Sequence, residues 1–259
     1  MLIPFVIETA TSGDEIAFVK KLAKSVGIEL QEIAGASSVQ SMSYLGMDEH
    51  GLRFYLTGSD GPVLALDFVA EYASFMRQVS KTAAGPLKKA LGRGVKRGHR
   101  LVDATCGTGK DSLLFLSWGL EVLAFERNPL MFLLLQVAWQ TLVREYPELA
   151  LKFELIFGDV RTGTQVICQR KISILYFDPM FSQGPKTRRS LPRQEMVVFE
   201  HLIGADPDQE GVIQSLLKLP LSRIVVKRPH KAPQFTGLAP LASFPGKSVR
   251  YDLFRGTCQ

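Results

Sequence analysis

The spacing of apolar and polar residues changes character along the 259-residue chain. Residues 2–7 are a continuous apolar run and read as a strand. Between Asp14 and Val26 the apolar residues Ile16, Val19, Leu22, Ala23 and Val26 fall at helical spacing, and Gly27 marks the stop. Short β-prone runs at 41–46, 51–57 and 62–68 are separated by D-E-H-G and G-S-D-G, which supply hairpin turn residues. Residues 1–68 are therefore expected to form a small α+β accessory domain, either holding substrate or serving as scaffold. Residues 69–100 read as a helical linker, and 101–259 as a separate domain.

Residues 101–111, L-V-D-A-T-C-G-T-G-K-D, begin that second domain. An apolar strand leads to Asp103, a G-x-G turn at Gly107 and Gly109 follows, these three being candidate cofactor contacts, and 112–118 is an amphipathic helix. This is how the first strand, loop and helix of a nucleotide-binding α/β sheet are written. Further strands are expected at 121–126, 153–159, 172–179 and 223–229, with helices at 129–146, 195–203 and 207–217. Two closing strands at 242–244 and 249–255 have no helix between them. The count is seven strands, with 172–179 the most continuously apolar, as the middle of a parallel sheet requires.

Composition narrows the setting. With 46% hydrophobic residues the chain can build a core, and its net charge of +6 is modest. The charge is unevenly placed: Lys81, Lys88, Lys89, Arg93, Lys96, Arg97 and Arg100 occur in 81–100 without one acid, which suits contact with a nucleic-acid backbone. Cys106, Cys168 and Cys258 have neither disulfide-framework nor zinc spacing, and His50, His99, His201 and His230 form no metal or triad pattern. A reducing compartment follows. The N-terminus lacks a positively charged leader, and the apolar run at 129–139 is too short to span a bilayer, so the expected location is cytoplasmic.

Three features at one edge of the expected sheet describe an adenosine site. Backbone N–H groups after Gly107 and Gly109 would face an anionic group, helped by the helix dipole. Glu126 ends the second strand about 20 residues beyond the loop, where ribose hydroxyls are received. Asp159 ends the third strand and can accept from an adenine amino group. The third glycine of dinucleotide binders is missing, which favours a cofactor without a pyrophosphate, S-adenosylmethionine. The terminal hairpin likewise favours the Rossmann-like seven-stranded class I methyltransferase sheet over a nicotinamide domain.

The tetrad Asp178-Pro179-Met180-Phe181 resembles the [N/D]-P-P-[Y/F] signature of methyltransferases that act on amino or amide nitrogens. An exocyclic base amine is a poor nucleophile because its lone pair is delocalised into the ring. The Asp178 carboxylate and Pro179 carbonyl can accept its N–H groups and turn the lone pair toward a methyl donor, while Phe181 stacks on the base. Lys186, Arg188, Arg189 and Arg193 follow, and Lys227, Arg228 and Lys231 cluster after the fifth strand, a distribution suited to RNA phosphates.

Taken together, D-A-T-C-G-T-G-K-D at 103–111, F-E-R-N-P at 125–129, D-P-M-F at 178–181, E-M-V-V-F at 195–199 and V-V-K-R-P at 225–229 resemble the ribosomal RNA small subunit methyltransferase J family. That resemblance implies methyl transfer from S-adenosylmethionine to the exocyclic N2 of a guanine in small-subunit (16S) ribosomal RNA, free or assembled. It also implies cofactor contacts at Lys110, Asp111, Glu126, Arg127, Asp159, Val160 and Asp178, although Asp159-Val160 stands where the family carries small hydroxyl residues. The residues by themselves leave open another RNA or DNA amine as acceptor, a nicotinamide-dependent oxidoreductase, and an RNA-binding protein that keeps only a vestige of the cofactor site.

Overall fold

The computed structural model describes residues 1–7, 11–34, 42–48, 51–57, 61, 63–79, 85–179 and 208–257. In chain order the elements are β1 (Leu2–Ile7), α1 (Gly13–Ser25), β2 (Glu29–Ile33), β3 (Tyr44–Asp48), β4 (Gly51–Tyr55), β5 (Leu64–Ala65), α2 (Phe68–Val79), α3 (Pro86–Leu91), β6 (Arg100–Asp103) and α4 (Lys110–Ser117). There follow β7 (Glu121–Glu126), α5 (Pro129–Glu145), β8 (Phe153–Phe157), α6 (Thr164–Gln169), β9 (Ile174–Phe177), α7 (Gln209–Leu217), β10 (Arg223–Pro229), β11 (Ala242–Pro245) and β12 (Val249–Phe254). The helix expected at 195–203 lies outside the described residues.

The chain divides into two compact units. The described part of the first comprises residues 1–70 and 127–147. Its sheet runs β2-β1-β3-β4-β5, with β1 parallel to β2 and β3, and β3 antiparallel to β4. β2, with the polar sequence ELQEI, is an edge strand that apolar patterning did not announce. The third strand begins at Tyr44, later than the expected run, and β5 is only two residues long.

α1 starts where the sequence indicates, with the Ser12 hydroxyl accepting from the Glu15 N–H and two acids in its first turn. α5 is capped by Asn128, whose Oδ1 accepts from the N–H groups of Leu130 and Met131 at 3.0 Å, and Pro129 sits at the favoured first position. Its near-continuous apolar sequence is explained by burial on most of its circumference, from Leu130 to Leu142, and it packs on β4 and α1. Although α5 falls between two strands of the other sheet in sequence, its packing groups it with the first unit.

The described part of the second unit comprises 71–126, 148–179 and 208–257. Its seven strands run β11-β12-β10-β9-β6-β7-β8, all parallel except the antiparallel β12, which pairs with both β10 and β11. Order reverses between β6 and β9, the crevice where open α/β sheets bind ligands.

Alternation sorts each strand's side chains. Val102, Leu123, Phe125, Leu175, Phe177, Ile224 and Val226 join Ile167 of α6 and Val212, Ile213 and Leu216 of α7 in one buried core. The other set, Asp103, Tyr176, Val225 and Lys227, falls on the opposite face, where Phe115 of α4 meets the Tyr176 ring edge-on at 5.1 Å. A strand pattern that buries aliphatics on one face thereby delivers polar side chains to the other.

Gly163, the N-cap of α6, is fixed by this packing. A Cβ there would lie 2.1 Å from Cε1 of Phe125, which is 1% exposed and has no room to withdraw. Gly163→Ala is expected to destabilise the protein by about 1–3 kcal/mol, the usual effect of overpacking a core. Gly94→Ala, with nothing within 4 Å of its Cβ, is expected to stay within about 0.5 kcal/mol of the parent. Denaturant midpoints of the two variants measure the difference.

Candidate active site at the carboxyl edge of the seven-stranded sheet

Apart from Arg127, the described residues of this site belong to the second unit. The loop from Ala104 to Gly109 is tied to strands on both sides: the Ala104 N–H donates to the Tyr176 carbonyl at 2.8 Å and the Cys106 N–H to the Phe125 carbonyl at 2.9 Å. Gly107 and Gly109 have φ of 57° and 77°, the left-handed region in which a side chain would be strained, and Gly109 is the N-cap of α4. Between these anchors the backbone turns sharply enough to present the start of α4 at the sheet edge.

Glu126 closes the loop from the β7 side. It is buried, and its Oε2 accepts from the Gly107 N–H at 3.0 Å. The acid at the tip of the second strand and the glycine turn, separate signals in the sequence, thus meet directly. Arg127 follows as an exposed residue.

Beneath the loop lies Asp103, fully buried. Its Oδ2 accepts from the Ser112 hydroxyl at 2.6 Å and its Oδ1 from the Thr105 N–H at 3.2 Å. Burial, reinforced by the charges of Asp111 and Asp178, pushes its carboxyl up to about 7 against the pull of these two hydrogen bonds. Expected as a cofactor contact, Asp103 is instead fully buried with an oxygen bonded to each of Ser112 and Thr105, and it organises the loop from within.

The centre of the site is an ion cluster. Register places Asp103 beside Tyr176 and Val226 beside Phe177, so Lys227 comes alongside Asp178 just past the end of β9. The Lys227 ammonium donates to Asp178 Oδ2 at 2.8 Å and to Asp111 Oδ2 at 3.0 Å, and the Tyr176 hydroxyl donates to the same Asp111 oxygen at 2.6 Å. The Asp178 N–H donates to Thr105 Oγ1 at 2.9 Å, joining the tetrad to the glycine loop. Pro179 is buried immediately after it.

Burial pushes the Asp178 carboxyl up to about 6, with Lys227 opposing the rise and Asp111 adding to it. Burial also presses Lys227 toward its neutral form, but the two carboxylates outweigh it and hold the ammonium charged beyond its ordinary range. The Tyr176 hydroxyl, buried and beside two carboxylates, stays protonated far above the usual tyrosine range, so it remains a donor.

Two expectations are revised. Charge alone puts Lys227 and Arg228 on a phosphate-facing surface. Instead Lys227 turns inward to the two aspartates, and Arg228, on the other face of β10, is 4% exposed with its guanidinium 3.9 Å over the Phe235 ring. Strand alternation sends consecutive cations to opposite faces, both occupied here.

Asp159 and Val160 sit after β8, with Val160 buried in the core. Asp159 Oδ1 accepts from the Arg161 N–H and Nε, and Oδ2 from Nη2, all at 2.9 Å; Arg161 also reaches Asp208 at 2.6 Å. An adenine amino group would have to share an oxygen with that guanidinium. Lys110 is exposed on the first turn of α4. Met180, Phe181, Lys186, Arg188, Arg189 and Arg193 lie outside the described residues.

Sequence reasoning missed Thr105, Ser112, Tyr176 and Tyr251 as site residues. Tyr251 pairs in register with Lys227 from β12, and its hydroxyl is pushed up by burial. The available signal was strand alternation: Tyr176 is two residues before Asp178, on the same face.

Comparison with known proteins places this geometry. The family described as "Putative SAM-dependent methyltransferase" matches residues 29–256. A ribosomal RNA small subunit methyltransferase J of Pseudomonas fluorescens is 33% identical over 96% of this chain and 94% of its own. One of Alteromonas mediterranea is 28% identical over 97% and 96%. The crystal structure of a SAM-dependent methyltransferase from Neisseria gonorrhoeae has a TM-score of 0.71 at 24% identity, covering 97% of this chain and 95% of that one, and so shares its fold. With the glycine loop, the strand-end acids and Asp178-Pro179 on one sheet edge, the chain belongs to the SAM-dependent methyltransferases of the ribosomal RNA small subunit methyltransferase J family.

Proposed function

We propose that this enzyme transfers a methyl group to the exocyclic N2 amine of a guanine in small-subunit ribosomal RNA, in the cytoplasm. The observation that carries the reading is the Asp178 carboxylate held at the end of β9 by Lys227, one hydrogen bond from the glycine loop through Thr105. The names of the similar proteins from Pseudomonas and Alteromonas support the choice of acceptor.

The residues present fit the cofactor. Two left-handed glycines leave the loop backbone open to close approach, the start of α4 offers N–H groups to a carboxylate, and Glu126 offers acceptor lone pairs to ribose hydroxyls. S-adenosylmethionine supplies an electrophilic methyl group on a sulfonium.

Asp178 does the work on the acceptor side. Its Oδ2 is taken by Lys227, and Oδ1 accepts an N–H of the base amine, orienting the lone pair. Methyl transfer leaves the amine one proton in excess, and a carboxylate that titrates near 6 can receive it at Oδ1 and release it to solvent at neutral pH. Lys227 keeps Asp178 ionised and prevents it from swinging out of position. The Pro179 carbonyl provides a second acceptor for the amine.

Labelled methyl transfer into small-subunit rRNA, followed by nuclease digestion, is expected to yield N2-methylguanosine as the product. A methyl group on a different base or on protein would overturn the assigned acceptor. Asp178→Ala is expected to lower kcat by about 100–1000-fold, the usual effect of removing a group that stabilises a transition state; full activity would remove Asp178 from this role.

The sign of the pH dependence follows from the raised Asp178 value. Below about pH 6 the carboxyl is protonated and cannot accept the N–H, so kcat should rise with pH through that region. Lys227→Met removes the cation that opposes the rise and leaves Asp111 beside Asp178, so the ascending limb should move to higher pH. A pH–rate profile of the two proteins checks both statements, and an unmoved limb would dissociate Lys227 from Asp178 ionisation.

A further inference from the structure

The amino edge of the same sheet carries a second feature. α3 buries Leu87, Ala90 and Leu91, at i, i+3 and i+4, which leaves Lys88 and Lys89 exposed. Arg223 Nη1 donates to the Ala90 carbonyl at 3.0 Å and fixes the end of the helix. The chain then passes through exposed Arg93, Lys96 and Arg97 before entering β6 at Arg100, whose guanidinium is neutralised by Glu121 at 2.7 Å.

The five cations Lys88, Lys89, Arg93, Lys96 and Arg97, with Trp118 and Phe244, line a groove of about 530 Å³ that has no acid among its lining residues. The Trp118 ring is half-buried, held edge-on by Phe115 at 5.9 Å, and Lys88 Nζ stands 5.4 Å from its centroid. The groove thus combines a half-buried aromatic ring, the Lys88 ammonium over its face, with converging positive charge.

Its place in the fold separates it from the methyl-transfer site. Trp118 and Leu120 precede β7 and Arg97 precedes β6, whereas Asp103 and Glu126 end β6 and β7 and Asp178 follows β9; of the lining residues Phe244 comes nearest the active edge, level with Lys227 but two strands away on β11. Strands of four to six residues at ~3.3 Å per residue put the two ends of these strands roughly 13–20 Å apart. One flipped base cannot reach both.

We propose that this groove is a second RNA-binding site, taking the sugar-phosphate backbone and one unstacked base of the rRNA substrate at a distance from the guanine that is methylated. The inference rests on the rRNA reading above. A concave set of cations raises the local positive potential and suits closely spaced phosphates, and a tryptophan face suits an unstacked base of any identity. An acidic protein segment would use the charges but leave the aromatic platform without a role. The groove then contributes grip and register, while Asp178 at the opposite edge orients the amine.

The test is a triple variant, Lys89→Glu, Arg93→Glu and Lys96→Glu, compared with the parent for binding to protein-free small-subunit rRNA over a salt series. Affinity at about 0.15 M salt is expected to fall at least tenfold. The slope of log K against log salt is expected to shrink by about 2, since each phosphate that is no longer neutralised removes roughly 0.7. KM for rRNA should rise while kcat at saturating RNA and the thermal midpoint stay near the parent values. With Trp139→Phe leaving Trp118 as the sole tryptophan, rRNA is expected to quench its fluorescence.

Unchanged affinity and slope would overturn the site, and an unquenched Trp118 would overturn base stacking there. Loss of binding to assembled subunits but not to free rRNA would reassign the groove to a protein. Failure of the parent to methylate rRNA that it nevertheless binds would count against the acceptor assignment alone, because the binding comparison decides the groove separately.

Discussion

A lysine ammonium shared by two half-buried carboxylates is the interaction on which the active edge depends. Asp111 comes from the first turn of α4, Asp178 from the end of β9 and Lys227 from β10, so one cation ties together three elements distant in sequence. Two carboxylates this close would otherwise repel, and burial would drive one to hold its proton. Lys227 permits a charged Asp178 near neutral pH, and the Tyr176 hydroxyl shares the load on Asp111. The cluster is costly to desolvate, and its value lies in placement: it fixes a carboxylate oxygen at the sheet edge where we propose the base amine is oriented.

Much of the second unit was legible because its signals were redundant. Seven strands, their approximate bounds and the final hairpin follow from short apolar runs bounded by turn residues, and a parallel sheet gives its central strands unbroken apolar sequence. The first unit was harder to read. β2 is an edge strand with the polar sequence ELQEI, so no buried face imprinted an alternation on it. α5 shows the other limit: its apolar sequence announced a buried helix, but apolar residues do not say which sheet will cover them, and it groups with β4 and α1 instead of with its sequence neighbours.

The site was legible as a set of acids and glycines, less so as a network. Glu126 and the glycine turn were each recognisable, and their hydrogen bond joins them. Composition alone makes one surface cluster of the cations near Pro229. Applying the two-residue period to R-I-V-V-K-R-P separates Lys227 from Arg228 onto opposite faces, where one meets aspartates and the other an aromatic ring. Asp159 stands just past a strand, but its two oxygens turn to Arg161, an interaction with a residue two positions away that no long-range pattern encodes.

The bond from the Gly107 N–H to Glu126 has an evolutionary consequence. The carboxylate that braces the loop is also the one we propose for the ribose hydroxyls, and on that reading loop shape and sugar recognition cannot drift independently. The bonds of Asp178 reach the same elements, through Thr105 to the loop and through Lys227 to Asp111 of α4. A change on either side is therefore felt on the other, so the loop and the residues around Asp178 can vary only together.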